Sequence, residues 1–291
     1  MANRSNPLVD SEYQSGKKLL NDLLRLRREG NYVFRGISRK IEWKPAIQRY
    51  YSNGKYYNLV EYEYRMLYDF FQKWNLRHFN SSENILELVA SAQHYGIPTR
   101  LVDWTRDPYV ALYFAVNNNS DPDDGCYSLI YTNLNNHTVL DSLRMTLTVG
   151  DIIKGDPDIL FNYMRFLRTI GDREELKGLL DTRNLDLAEM NVESSLHYNE
   201  DGLIFYDSPL SNERLLAQKG LFSIPDSLVD QEAANQIKKF TEEIKIRLSP
   251  KDRDELIKYL ENMNYSRNYL FPDLQNLCRY IVDKTIKFAD E

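Results

Sequence analysis

Cysteine is scarce: Cys126 and Cys278 are the only two in 291 residues. A disulfide-stapled scaffold needs more, so the chain is expected to work in a reducing compartment, and the reading is cytoplasmic. No run approaches the roughly 18 apolar residues of a membrane-spanning helix, so no membrane partner is expected. The first residues, MANRSNPLVDSEYQSGKK, lack the apolar centre of a secretion signal. Histidine is equally sparse, at His78, His94, His137 and His197. None stands in H-E-x-x-H and no C-x-x-C occurs, so no metal is expected. The sequence also lacks G-x-S-x-G, G-x-x-x-x-G-K-[ST] and G-x-G-x-x-G, the marks of acyl hydrolases, P-loop NTPases and Rossmann dinucleotide folds. A cationic excess is missing too: Lys+Arg 37 stands against Asp+Glu 43, for a net charge of −6. That disfavours a general duplex-coating protein but leaves room for a local basic groove. No clustered Asp/Glu/Lys set suggests a Mg²⁺ nuclease.

With 42% hydrophobic and 12% aromatic residues the chain can bury a core. Residues 1–10 read as a loose tail. Helices are expected over 11–29, closed by Gly30, over 57–76, over 83–95, and over about 108–118 with Asp103 or Thr105 as its cap and Pro108 in its first turn. Strands are expected at NYVFRGIS, at Leu101 to Trp104, at 126–132 and at 202–207. Residues 212–224 read as two short strands around Gly220. Residues 137–200 read as a helical insertion and 228–291 as a helical C-terminal region, broken at LSP and FPD. Helices and strands mix without regular βαβ alternation. The fold class is therefore α+β with a mixed or antiparallel sheet, and residues 11–291 form one domain.

Three segments carry the candidate chemistry. Phe34-Arg35-Gly36 places an arginine in an apolar β run, where it either pairs with a core-edge carboxylate or holds an anion. Gly36 allows a backbone turn or a close ligand approach. Gln93-His94-Tyr95-Gly96-Ile97-Pro98-Thr99-Arg100-Leu101-Val102-Asp103-Trp104-Thr105 packs polar and aromatic residues before an apolar helix. It is either a structural network, with Asp103 paired to Arg100 and Thr105 capping the helix, or a ligand cradle beside a helix N-terminus. His94 alone is more often a satisfied structural histidine than a catalyst. Asn212 to Phe222 puts Glu213 at the head of a strand and Gln218 before a glycine; a strand-edge Glu is commonly solvated.

These motifs resemble the FRG domain family: Phe-Arg-Gly at 34–36, QHYGIPTRLVDWTRDPYVALYFA at 93–115, RLLAQKGLF at 214–222 and LFPDL at 270–274. More distantly, the chain resembles arginine-type ADP-ribosyltransferases of the R-S-E group. Val33-Phe34-Arg35-Gly36 is similar to their Arg strand. Asp103-Trp104-Thr105 with Pro108 to Ala115 is similar to their Ser-Thr-Ser strand and following helix. Glu213-Arg214-Leu215-Leu216 is similar to their Glu-x-Glu segment. Asp103 and Trp104 stand where that group has Ser and Thr, and Ser211 stands where it has the first Glu. The resemblance leaves open whether Glu213 or Gln218 takes the catalytic place.

The resemblance implies an ADP-ribosyltransferase-type fold and NAD as substrate, in a toxin or phage-defence effector. It makes Glu213, Arg35 and Thr105 catalytic. Glu213 would face the oxocarbenium-like ribose, Arg35 would clamp the diphosphate through its planar fork, and Thr105 would order the two. Arg35, Gly36, Gln93, His94, Tyr95, Arg100, Asp103, Trp104 and Gln218 become nucleotide contacts, with Tyr95 and Trp104 offering rings to stack on. The acceptor is a protein or nucleic acid of unspecified identity. The alternative is a non-catalytic module on the same scaffold that binds a nucleotide or nucleic-acid end.

Overall fold

The computed structural model describes residues 10–38, 43–50, 59–73, 85–117, 126–141, 202–208, 213–225, 227–228 and 231–273, together with 276, 278 and 282. Among these residues the chain is a mixed α+β fold of eight strands and nine helices.

The centre is β2 (Tyr32–Ile37), whose alternation sends Phe34 to one face of the sheet and Val33 and Ile37 to the other. Strand β4 (Cys126–Asn133) pairs with it antiparallel from Tyr32–Asn133 to Ile37–Ser128. It alternates the same way, Tyr127, Leu129 and Tyr131 against Ile130. Around this pair the sheet runs β1 (Glu12–Tyr13), β8 (Glu242–Arg247), β4, β2, β3 (Val102–Thr105), β7 (Gly220–Ile224), β6 (Ile204–Asp207), β5 (Thr138–Asp141). Only β1–β8 and β5–β6 are parallel.

One face packs on α1 (Gly16–Glu29), α5 (Pro108–Val116) and α8 (Pro250–Asn262). In α1, Leu19, Leu23 and Leu26 recur at i, i+4 and i+7 and are fully buried. Helix α5 is apolar all round and almost wholly buried. The opposite face is covered by α7 (Glu232–Phe240), with Trp104, Phe205 and Leu221 in the core. Helices α2 (Ala46–Tyr50), α3 (Leu59–Lys73) and α4 (Ile85–His94) come between β2 and β3 in the chain. Two short helices, α6 (Glu213–Gln218) and α9 (Arg267–Leu270), complete the set.

The structure corrects several expectations. The cap of α5 is Asp107, whose Oδ1 accepts the Tyr109 N–H at 3.1 Å. Neither Asp103 nor Thr105 caps it, because β3 runs through both. Residues 213–218 form α6 rather than a strand. Leu215 is the only buried residue of the segment, whereas a half-buried strand would bury every second one. Lys219 ends the helix in a left-handed conformation, φ 47°, and β7 starts at Gly220. The region from 228 is not all helical. Glu242-Glu-Ile-Lys-Ile-Arg247 alternates exposed polar residues with buried Ile244 and Ile246 and forms β8. The expected helical insertion begins with strand β5 instead, and residues 142–200 lie outside the described residues. No helix among the described residues is long and apolar enough to cross a membrane.

Candidate functional site

The sheet opens between β2 and β3. These strands pair only at Phe34–Thr105, whereas β3 pairs with β7 along its whole length. Past that pair they part. The Asp103 carbonyl accepts a hydrogen bond from Arg35 Nη1 at 2.6 Å rather than from a backbone N–H of β2. A two-lobed cleft lies over this gap. One lobe, about 470 Å³, is bordered by Ala46, Tyr50, Gln93, His94, Pro98 and Phe222. The other, about 360 Å³, is bordered by Phe34, Arg35, Gly36, Thr105, Ala111 and Phe114. Arg49, Asp103, Arg214 and Gln218 line both, so the lobes meet at a waist carrying two arginines and one carboxylate.

Asp103 is the ordered centre of the waist. Its Oδ1 accepts from Gln93 Nε2 at 2.9 Å, and its Oδ2 lies 4.0 Å from Arg35 Nη1. Gln93 Oε1 in turn accepts the Thr99 hydroxyl, which fixes the amide with its NH₂ toward Asp103. Asp103 keeps a side-chain exposure of 63%, against 12% for Arg35. It pairs with Gln93 and Arg35 rather than with the expected Arg100. His94 is half-buried; burial first, and then the Arg214 charge, hold its pKa below the ordinary histidine value. At neutral pH its ring is therefore uncharged.

Gln218 borders both lobes from the end of α6, its Nε2 donating to the Leu270 carbonyl at 2.9 Å. Arg214, one turn earlier, lays its guanidinium 4.6 Å from the Phe271 ring centroid, so the aromatic face holds it at the cleft. The α6 terminus is clasped to β3. Thr105 Oγ1 donates to the Gln218 carbonyl at 2.6 Å and accepts from the Asp107 N–H at 2.9 Å. Lys219 Nζ reaches the buried Asp107 carboxylate at 2.8 Å, and Arg106 N–H donates to the Lys219 carbonyl at 3.0 Å.

Of the residues singled out from sequence, Arg35, Gly36, Gln93, His94, Asp103, Thr105 and Gln218 come together here. Others take different places. Glu213 is an exposed residue at the start of α6 and is not among those lining either lobe. Thr105 bonds to backbone groups of Gln218 and Asp107, not to the side chains of Arg35 and Glu213. Arg100 is buried away from the cleft. Its Nη2 and Nε lie 2.7 and 2.8 Å from Glu63 Oε2, and its N–H donates to Oε1 at 2.8 Å, tying α3 to the loop before β3. Trp104 borders the second lobe, but its ring is in the core. It is 3% exposed, crosses Phe205 edge-on at 5.6 Å and donates Nε1–H to Ser223 Oγ. Tyr95 points elsewhere, into a surface hollow with Met66, Phe70 and Lys73.

Gly36 serves packing before ligand. A Cβ there would stand 2.0 Å from the Ala111 carbonyl oxygen and 2.6 Å from the Ala115 nitrogen. Helix α5 therefore rests directly on β2. The sequence reading missed Arg49, Tyr50 and Arg214. Arg49 and Tyr50 close a five-residue helix whose pattern carries no functional sign, and Arg214 follows Glu213 in a short mixed segment where an arginine reads as an ordinary surface residue. Among the described residues no group of three potential metal ligands gathers.

Residues 30–124 match the sequence model of the FRG domain. Over that span, about a third of the chain, the sequence is similar to an FRG domain. The matched span runs from β2 through α5 and supplies Arg35, Gly36, Arg49, Gln93, His94, Asp103 and Thr105. Arg214 and Gln218, which complete the cleft, lie beyond it. No curated protein and no solved structure matches the chain.

Proposed function

We propose that the FRG cleft binds a dinucleotide, with its diphosphate at the Arg49–Arg214 waist and one nucleoside in each lobe. The bilobal shape with cations at the junction carries this reading. A dinucleotide has its charge in the middle and a ring system at each end. Each lobe falls in the size range of ordinary small-molecule pockets, and arginine forks suit phosphate oxygens. Tyr50, 74% exposed at the rim, offers the ring that Trp104 and Tyr95 do not. The resemblance to ADP-ribosyltransferases names NAD as the dinucleotide. It extends the proposal to ADP-ribose transfer onto a protein or nucleic-acid acceptor, in a cytoplasmic toxin or phage-defence role.

The place of Glu213 outside the lining favours a second reading, a nucleotide-binding module without turnover. Calorimetric titration with NAD, AMP and nicotinamide mononucleotide tests the shared core of both. NAD is expected to bind at least about tenfold more tightly than either half, since it alone fills both lobes and the waist. Equal affinity for AMP and NAD would reduce the site to a mononucleotide pocket.

A further inference from the structure

The waist holds one carboxylate, and its surroundings look arranged for chemistry rather than for support. Asp103 is the only acidic side chain among the described residues that line either lobe, and it lines both. Other acids near the cleft are committed elsewhere. Asp107 is buried under Lys219, Tyr265 and Arg27. Glu63 is closed on Arg100, and Glu87 is bonded to Tyr206 and Ser208. Asp103 is fixed at both ends. Its carbonyl is held by Arg35 and its Oδ1 by Gln93, whose amide is oriented by Thr99. Yet most of the carboxylate faces solvent in the cleft, leaving lone pairs open to a ligand. A relay of this kind, hydroxyl to amide to carboxylate, pre-sets Oδ1, while Oδ2, with Arg35 Nη1 at 4.0 Å, keeps room for a ligand donor.

We propose that Asp103 is the catalytic carboxylate of this cleft, acting on the glycosidic carbon of a bound nicotinamide dinucleotide. This rests on the dinucleotide reading above. The waist position puts Asp103 beside a ribose next to the diphosphate. The bond between ribose C1′ and the pyridinium nitrogen breaks, and its electron pair passes to that nitrogen, which becomes neutral nicotinamide. Positive charge develops over C1′ and the ring oxygen and is met by the Asp103 carboxylate, whose Oδ2 also accepts a hydrogen bond from the 2′-hydroxyl. The oxygen of water or of an acceptor hydroxyl then bonds to C1′ and its proton leaves to solvent. The products are ADP-ribose, free or attached, together with nicotinamide and one proton.

The test measures NAD affinity by calorimetry and nicotinamide release by chromatography, on the full chain and on Asp103→Asn and Glu213→Gln, with melting temperature as the check of fold. Asp103→Ser stands in should the Asn variant fail to fold. Asp103→Asn is expected to bind NAD within about threefold of wild type and to lose about 100-fold or more of the release rate. Glu213→Gln is expected to keep both. Release surviving in Asp103→Asn, or lost in Glu213→Gln alone, overturns the assignment. Tight NAD binding by wild type with no release under any acceptor, whether water, RNA, DNA or lysate protein, overturns it as well while sparing the dinucleotide reading. Absence of NAD binding by wild type defeats that reading itself.

Discussion

Gly36 and Arg35 are neighbours with opposite jobs. Arg35 bridges the gap where β2 and β3 part, while Gly36 lets the α5 backbone settle on the strand. The atoms a methyl would meet at position 36 are main-chain atoms of a buried helix, which cannot swing aside. Gly36→Ala is therefore expected to cost about 1–3 kcal/mol, the range for forcing extra volume into a packed core, read as a lower midpoint in urea denaturation. A variant as stable as wild type would show that α5 does not need this contact. The same pair shows what residue-level reading can recover. The Phe-Arg-Gly string marked the site, but the glycine's reason lay in a helix some 75 residues later in the chain, which no local pattern announces.

At the scale of elements, the clasp between β3 and α6 decides the cleft's shape. Thr105 is a positioning residue: one hydroxyl donates to the Gln218 carbonyl and accepts the Asp107 N–H. Through Gln218 it sets the end of the helix that carries Arg214. Thr105→Val keeps the shape and removes both bonds, leaving a buried N–H unpaired. It is expected to cost about 2 kcal/mol and to weaken NAD binding, whereas Thr105→Ser restores most of both. Denaturation and calorimetry on the two variants check this, and a Val variant with unchanged affinity would show that α6 is positioned by other contacts. Elements with strong periodicity were legible in the sequence. The leucines of α1, the alternation in β4 and the all-apolar α5 appear close to where the pattern puts them. Where tertiary context ruled, the pattern misled. Glu213 to Gln218 is too short for a helical period to declare itself, and it ends on a lysine rather than on the glycine one position later. The alternation of β8 was hidden because acidic and basic residues fill its exposed positions, as they would a helix surface.

For the molecule as a whole, the split sheet lets an acidic chain gather cations in one place. The net charge is −6, yet Arg35, Arg49 and Arg214 converge where β2 and β3 separate, and His94 stands beside them uncharged. A local cationic waist in a negative field favours a small, compact anion over a long polyanion. Half of this site could be read from the sequence, because the 34–36 and 93–105 segments hold Arg35, Gln93, His94 and Asp103. The remainder could not. Arg49 and Arg214 arrive from helices far apart in sequence, one within the FRG match and one beyond it, and only the fold makes them neighbours.

The most direct test of the account is the NAD dissociation constant of Arg214→Gln against wild type, measured calorimetrically with melting temperatures alongside. A charge-assisted contact to the diphosphate predicts at least about a tenfold loss of affinity with the fold intact. An unchanged dissociation constant would contradict the two-lobed cleft as the dinucleotide site.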